Sequence, residues 1–430
     1  MNHTNKNPLH LFEGFGIELE YMIVKSQDLN VAPVADALMY GVTGNYSGDV
    51  ERPKISWSNE LVAHVIELKT SGPAPALKGL DHEFSQEIVD INSRLNKTGH
   101  QLLPGAMHPW MDPKTEMHLW SHDNNEVYEA YDRIFSCKGH GWSNLQSMHI
   151  NLPFANDLEF GRLHAAIRMV LPILPAIAAS SPVFEGKFAA HKDARLTCYR
   201  KNQAKVPIIA GSIIPEPVFT EAEYRSKIFE KVFEAIRPYD KDNILQNEWL
   251  NSRGAIARFD RSAIEIRTID VQECPAADIA IAALVVSVIR SFVEETGLPL
   301  SSQMKWPTAA LAAIHDGCIE SAELFIISDS SFLRDMGFPG TKTTAKDLWQ
   351  HLFEAAISRG DATVKAYASY LQTITHGGSL STRITKSLPP LPQHQDLAAV
   401  WRQLGHCLAA NSQFGSSSSS SIKESRRQLH

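Results

Sequence analysis

At 430 residues the chain has room for two or three domains or for one enzyme-sized unit. Hydrophobic residues at 43% and charged residues at 21% are those of an ordinary globular protein, which excludes a fibrous or wholly disordered chain. With 41 Lys and Arg against 48 Asp and Glu the net charge is −7, so nucleic acid is not expected as the main partner, and an anionic substrate must be met by a local basic patch or by metal ions.

The first patterned segment, Gly16 to Val24, alternates strictly, with Ile17, Leu19, Tyr21 and Ile23 on one parity and Glu18 and Glu20 on the other. That is a half-buried strand carrying two acids on its second face. Leu61 to Thr70 predicts another strand, with Glu67 between Ile66 and Leu68. Leu77, Leu80, Phe84, Ile88, Ile91 and Leu95 recur at three- and four-residue spacing before Gly99, which predicts an amphipathic helix over about 76–98. Ser147 to Leu152 reads as a strand that sets Met148, Ile150 and Leu152 against Ser147, His149 and Asn151. After the capping pair Asn156-Asp157 comes a helix that Pro172 and Pro175 must kink or end. Ser262 to Val271 predicts a further strand with Glu265 and Arg267 on one face, followed through Cys274-Pro275 by a helix apolar nearly all round to Val293. Residues 301–412 look helical, and the six serines at 416–421 place a disordered tail over 413–430. Alternation points to antiparallel strands covered on one face. The expected architecture is α+β, an antiparallel sheet with helices on one face and an open face that forms the active site, with residues 1–300 as the catalytic unit and 301–412 packed on it.

The five cysteines are odd in number, scattered and never in a CxxC pair, so neither a disulfide framework nor a thiolate zinc site is expected, and a reducing, cytoplasmic setting fits. No secretory leader is visible, and the most apolar run, 279–289, is shorter than the ~20 residues that cross a bilayer, so no membrane partner is expected. No Walker A spacing and no complete dinucleotide fingerprint occur, which excludes a P-loop or Rossmann nucleotide site.

Each acid above, taken alone, reads as a solvated strand position, His149 as a satisfied histidine beside the core, and Glu265–Arg267 as a structural ion pair. Four strands each carry such a group opposite their apolar residues. In one sheet, Glu18, Glu20, Glu67, His149, Glu265 and Arg267 would share one face. Four carboxylates and an imidazole without thiolate suit Mg²⁺ or Mn²⁺. The densest basic stretch, His191, Lys192, Arg195, Arg200 and Lys201, is either a solvated loop or a wall for a substrate carboxylate or phosphate.

In the segments GIELEYMIV, ELVAHVIELKT, PGAMHPW, SMHINLPF, VLPILPAIAASSPVFEGK, CYRKN and SAIEIRTIDVQECPAADIAIAAL, over about residues 12–297, the chain resembles the glutamate–cysteine ligase type 2 group of ATP-dependent carboxylate–amine ligases. That group has the glutamine synthetase-like fold. The resemblance implies Glu18, Glu20, Glu67, His149 and Glu265 as ligands of Mg²⁺ or Mn²⁺, and Arg267 with Glu265 as catalytic residues. It also matches Tyr199-Arg200 and the His-Pro motif at His108 to substrate-binding positions, with Arg195 beside them. Asn151 stands where many members carry a second histidine, and Val65 where they carry a polar residue. The implied substrates are ATP, an amino acid, foremost glutamate through its γ-carboxylate, and an amine, cysteine or another. Self-association stays open. The competing readings are a metal-dependent hydrolase and a non-catalytic metal- or nucleotide-binding protein.

Overall fold

The computed structural model describes residues 8–415, and the alternating segment at 16–24 forms in it the long strand β1 (Gly16–Lys25). The strands that follow are β2 (Asp49–Val50), β3 (Ile55–Asn59), β4 (Val65–Thr70), β5 (His100–Leu103), β6 (Ser147–Pro153), a small hairpin of β7 (Val183–Phe184) and β8 (Lys187–Phe188), then β9 (Ala255–Arg258) and β10 (Ala263–Asp270). One antiparallel sheet of eight strands runs in the order β2-β3-β4-β1-β6-β10-β9, and β5 joins it on the second half of β1. The antiparallel α+β architecture is therefore as expected.

Strand β4 begins at Val65 rather than at Leu61. Residues 61–64 turn instead, because Val62 bridges to Leu119 and His64 Nε2 meets the Ser143 carbonyl at 2.9 Å. Parity then works as alternation requires. Ile17, Leu19, Tyr21 and Ile23 on β1 are fully buried and belong to one hydrophobic cluster with Phe84, Ile88 and Ile91 of the Leu80–Leu95 helix. The cluster also holds Phe160, Leu163 and Ile167 of the Asp157–Val170 helix and most of the Pro275–Val293 helix. These three helices form the layer behind the sheet, each turning an apolar stripe toward it.

Local chemistry sets their ends. Asn156 Oδ1 accepts from the Glu159 amide at 3.1 Å, capping the Asp157–Val170 helix. Pro172 and Pro175 then break its continuation into a 3₁₀ turn, Leu171–Ile173, and a short helix, Pro175–Ala178. The Pro275–Val293 helix has 19 residues and a mean hydropathy of 2.0, so by length and composition it could cross a membrane, which the 11-residue apolar run did not suggest; however, 89% of its apolar window is buried inside the protein. It is the central helix of the fold, and its uniform apolarity reflects neighbours on every side.

Leu311, Trp349 and Leu371, from the region after residue 300, lie in the same hydrophobic cluster as β1. A buried ion pair adds to this. Glu273, fully buried just after β10, receives Arg383 Nη1 at 2.5 Å and Nη2 at 3.3 Å, and Arg383 Nη1 also donates to the Phe414 carbonyl at 2.7 Å. Gln413 and Phe414 are buried, so the chain is docked on the body where the tail was expected to begin; residues 416–430, with the serine run, lie outside the described residues. Removing one partner of a buried pair strands the other charge. Arg383→Ala is expected to destabilise by about 3–5 kcal/mol, read as a lowered urea midpoint with an unchanged slope. A midpoint equal to that of the unaltered protein would show that Glu273 does not need its partner.

Candidate active site

Strand geometry puts residues i and i+2 on one face, so β1 presents Glu18 and Glu20 away from the helix layer. Register does the rest. Glu20 lies opposite Glu67 of β4, Glu18 opposite His149 of β6, and Glu265 of β10 opposite Asn151 of β6. Gly16 completes this row because a Cβ there would stand 2.9 Å from that of Asn151. The pairing of β10 with β6 shifts between Ile266 and Ile269, which puts Arg267 at an irregularity of the kind that re-aims a side chain.

The groups touch. His149 Nδ1 lies 2.8 Å from Glu18 Oε2 and 3.8 Å from Glu265 Oε1. Its Nε2 lies 2.9 Å from Ser147 Oγ and 3.7 Å from Glu20 Oε1. Glu20 Oε2 accepts from both the amide and the hydroxyl of Ser147, at 2.7 and 3.1 Å. Since the Ser147 proton goes to Glu20, His149 donates through Nε2 to Ser147 and through Nδ1 to Glu18. The imidazole is thus held as a cation between two acids. Asn151 Nδ2 donates to Glu18 Oε1 at 3.0 Å, Ser58 Oγ to Glu67 Oε1 at 2.6 Å, and Arg267 Nε pairs with Glu265 Oε1 at 2.8 Å.

Glu20, Glu67, His149 and Glu265 are only 4–8% exposed, so the face is a cleft and not a solvated surface. Burial sets its electrostatics. It works to raise the Glu18 carboxyl, but the His149 hydrogen bond and charge outweigh it and hold that group at about 2. For His149 burial acts to lower the imidazole, and Glu18, Glu20 and Glu265 overcome this and lift it to about 9. Glu67, pushed up by burial and by Glu18, reaches about 7. The acids are therefore balanced partly by protons.

Two triads have ligand atoms within 4.8 Å of one another, Glu18–His149–Glu265 and Glu20–Glu67–His149. An oxygen-rich set with one imidazole fits a hard divalent cation, and the protons now offsetting the charge are what such an ion would displace.

Of the expected site residues, Glu18, Glu20, Glu67, His149, Glu265 and Arg267 come together. Tyr199 lies at the margin, its hydroxyl donating to the Ser252 carbonyl at 3.0 Å, within electrostatic reach of Arg267. Three others do not join them. His108 is fully buried and its ring is used on backbone, Nε2 at 2.7 Å from the Leu29 carbonyl and Nδ1 accepting from the Met111 amide at 3.0 Å, so it orders the turn at Pro109. Arg195 is 2% exposed and within electrostatic reach of Glu20, but its hydrogen bonds are spent elsewhere, Nε on Asp270 at 2.5 Å and Nη2 on the Arg267 carbonyl at 3.4 Å. Arg200 pairs with Asp316 on the Thr308–Ser321 helix. The basic stretch is thus not one wall.

Several groups escaped the sequence. Ser147 shares parity with His149, a signal that was available. Arg258 of β9 reaches Glu265 Oε2 at 3.5 Å, and Glu60, half-buried after β3, is pushed well above the usual carboxylate range by burial and by Glu20 and Glu67. Only strand pairing brings these two to the site. Tyr131 lies within electrostatic reach of Arg267, and its ring packs 4.9 Å from Trp142 and 6.0 Å from Trp249, centre to centre.

Residues 14–324 match the model of glutamate–cysteine ligase family 2. A protein of Archaeoglobus fulgidus named only as uncharacterized is 31% identical over 396 residues, covering 92% of this chain and 98% of that one. A putative glutamate–cysteine ligase 2 of Cupriavidus metallidurans is 29% identical over 195 residues, 42% of this chain and 46% of the relative, so the match spans about half of that ligase. The crystal structure of glutamate–cysteine ligase from Francisella tularensis in complex with AMP superposes with a TM-score of 0.56 at 12% identity, covering 91% of this chain and 88% of that one. Its fold is shared.

A cation that took His149 as a ligand would have to expel its proton, which the flanking acids hold up to about pH 9. Binding of Mg²⁺ or Mn²⁺ is therefore expected to release protons at pH 7 and to tighten as pH rises toward 9. Calorimetry in buffers of different ionisation enthalpy measures the release. Affinity independent of pH from 6 to 9 would remove His149 from the ligand set.

Proposed function

Because this chain belongs to glutamate–cysteine ligase family 2, a group of ATP-dependent carboxylate–amine ligases, we propose that the acid it activates is glutamate, through the γ-carboxylate, and that the acceptor is an amine such as cysteine. What supports the reading above all is the buried face of acids interleaved with His149 and Arg267. That is a place to gather phosphates in a chain without a phosphate-binding glycine loop.

A carboxylate is a poor electrophile. Its oxygen must first attack the γ-phosphorus of ATP, forming an acyl phosphate and releasing ADP, after which the amine nitrogen attacks the acyl carbon and phosphate departs. Held by Glu18, Glu20, Glu67, His149 and Glu265, a divalent cation would supply charge neutralisation at the phosphoryl oxygens. Arg267 provides a fixed positive group. Glu265 holds its Nε and the Asn251 carbonyl its Nη1, at 3.4 Å, and Nη2 is left without a partner among the described residues, free to donate to a phosphoryl oxygen. Ser147 and Asn151 keep Glu20 and Glu18 oriented. Buried Tyr131, beside Arg267 and packed on Trp142 and Trp249, would help to keep water from an acyl phosphate on that side.

Glu265→Gln keeps the size of the side chain and removes its charge, so amide formation from glutamate, ATP and Mg²⁺ is expected to fall by about 10²-fold or more, with the melting temperature little changed. Turnover retained at saturating Mg²⁺ would make Glu265 a structural partner of Arg267 alone.

The acyl phosphate itself leaves an isotopic mark. Its bridging oxygen comes from the carboxylate and stays on phosphorus when the amine attacks carbon. ¹⁸O in the glutamate γ-carboxylate is therefore expected in the released phosphate, and phosphate release is expected to require glutamate. Solvent oxygen in the phosphate, with release indifferent to glutamate, would show instead a water attacking ATP and a hydrolase.

A further inference from the structure

A cavity of about 330 Å³ lies among residues none of which belongs to the acidic face. It is bounded by the segment leading into β1, the loop at 75–77, the face of the Pro275–Val293 helix that carries Ala283, Val286 and Arg290, and the turn at 361–363. Its size is at the low end for small-molecule sites, which bounds the occupant to a small metabolite. Phe12, Phe15, Leu77 and Val286 make an apolar lining, and Arg290 and Asp361 bring opposite charges to it.

Two observations mark these residues as prepared for a ligand. Phe12 has a φ of 63°, a left-handed conformation that a bulky side chain adopts only at a cost, and its ring lies 4.2 Å from the Arg290 guanidinium. Apart from that ring, Arg290 has no ion pair or side-chain hydrogen bond among the described residues. Asp361 Oδ1 accepts from the amides of Thr363 and Val364, both at 3.0 Å, and Oδ2 has no partner among them. One cation, one anion and an apolar lining thus wait around one small space.

We propose that this cavity binds a free α-amino acid with an apolar side chain, its carboxylate on Arg290, its ammonium on Asp361 and its side chain against Phe15, Leu77 and Val286. A purely apolar ligand would bury both charges unanswered, and a phosphate-like anion would meet the Asp361 carboxylate; a zwitterion with an apolar body satisfies both. The inference does not depend on which acid and amine the acidic face uses.

The test is calorimetric titration of the full chain with L-leucine and L-phenylalanine, and with 3-methylbutylamine and 4-methylpentanoate, which lack the carboxylate and the amino group of leucine. At least one amino acid is expected to bind, with affinity falling about tenfold or more for either leucine fragment and in Arg290→Gln. Asp361→Asn guards against misfolding, because asparagine caps the following turn equally well while removing the charge; the same loss is expected there. Glu265→Gln is expected to bind as the unaltered protein does. Failure of both amino acids to bind at about 10 mM, or undiminished binding in both Arg290→Gln and Asp361→Asn, overturns the proposal. Loss in Glu265→Gln with retention in Arg290→Gln would place the ligand on the acidic face and overturn it as well.

Discussion

Glu18, Glu20, Glu67 and Glu265 repel one another, and their burial strengthens the repulsion because water no longer screens it. The face holds together because positive groups are threaded among the acids. His149 bridges Glu18 and the Ser147–Glu20 pair, Arg267 and Arg258 flank Glu265, and Lys69 Nζ stands 3.6 Å from Glu67 Oε1. The same constraint explains the chemistry. A buried acidic face that needs neutralising has the chemistry that the proposed divalent cation and phosphates would answer.

Support for this face comes from the interior and from far along the chain. Arg195 pairs with Asp270 in the interior and donates to the Arg267 carbonyl, which steadies the irregular part of β10. At the end of that strand Glu273 is held by Arg383, so a residue more than a hundred positions later fixes where β10 passes into the central helix. Breaking either pair would leave a buried charge unanswered, so arrangements that keep both partners together are favoured over those that part them. Precision in β10 matters to the proposed function because it fixes the separation of Glu265 and Arg267.

The contrast between Arg195 and Arg267 shows what a sequence can and cannot tell. Arg267 lies in a segment that resembles a family motif, and Arg195 lies just before one. Arg267 shares a strand face with Glu265, and period two alone predicts that they meet. Arg195 opens a short helix, and whether it turns to the cleft or to the interior depends on Asp270, 75 positions away. His108 is similar, since its partner is the carbonyl of Leu29. Arg200 belongs with them, because Asp316 lies on a helix for which no motif was recognised.

The sequence by itself determined four of the sheet's eight strands, their buried faces and the six groups that share the acidic face, because alternation is local and each of those strands carries its own record of which side is apolar. It also determined the central helix, whose apolarity on every side announces burial. Only the tertiary structure decided that Arg258 and Glu60 join the cleft, that Arg195 and His108 spend their hydrogen bonds elsewhere, that Phe414 docks against Glu273, and that Arg290 and Asp361 face one cavity. Those outcomes rest on pairings between distant segments. Their energies depend on register, burial and the partner's position, none of which is written in the spacing of residues along a single strand or helix.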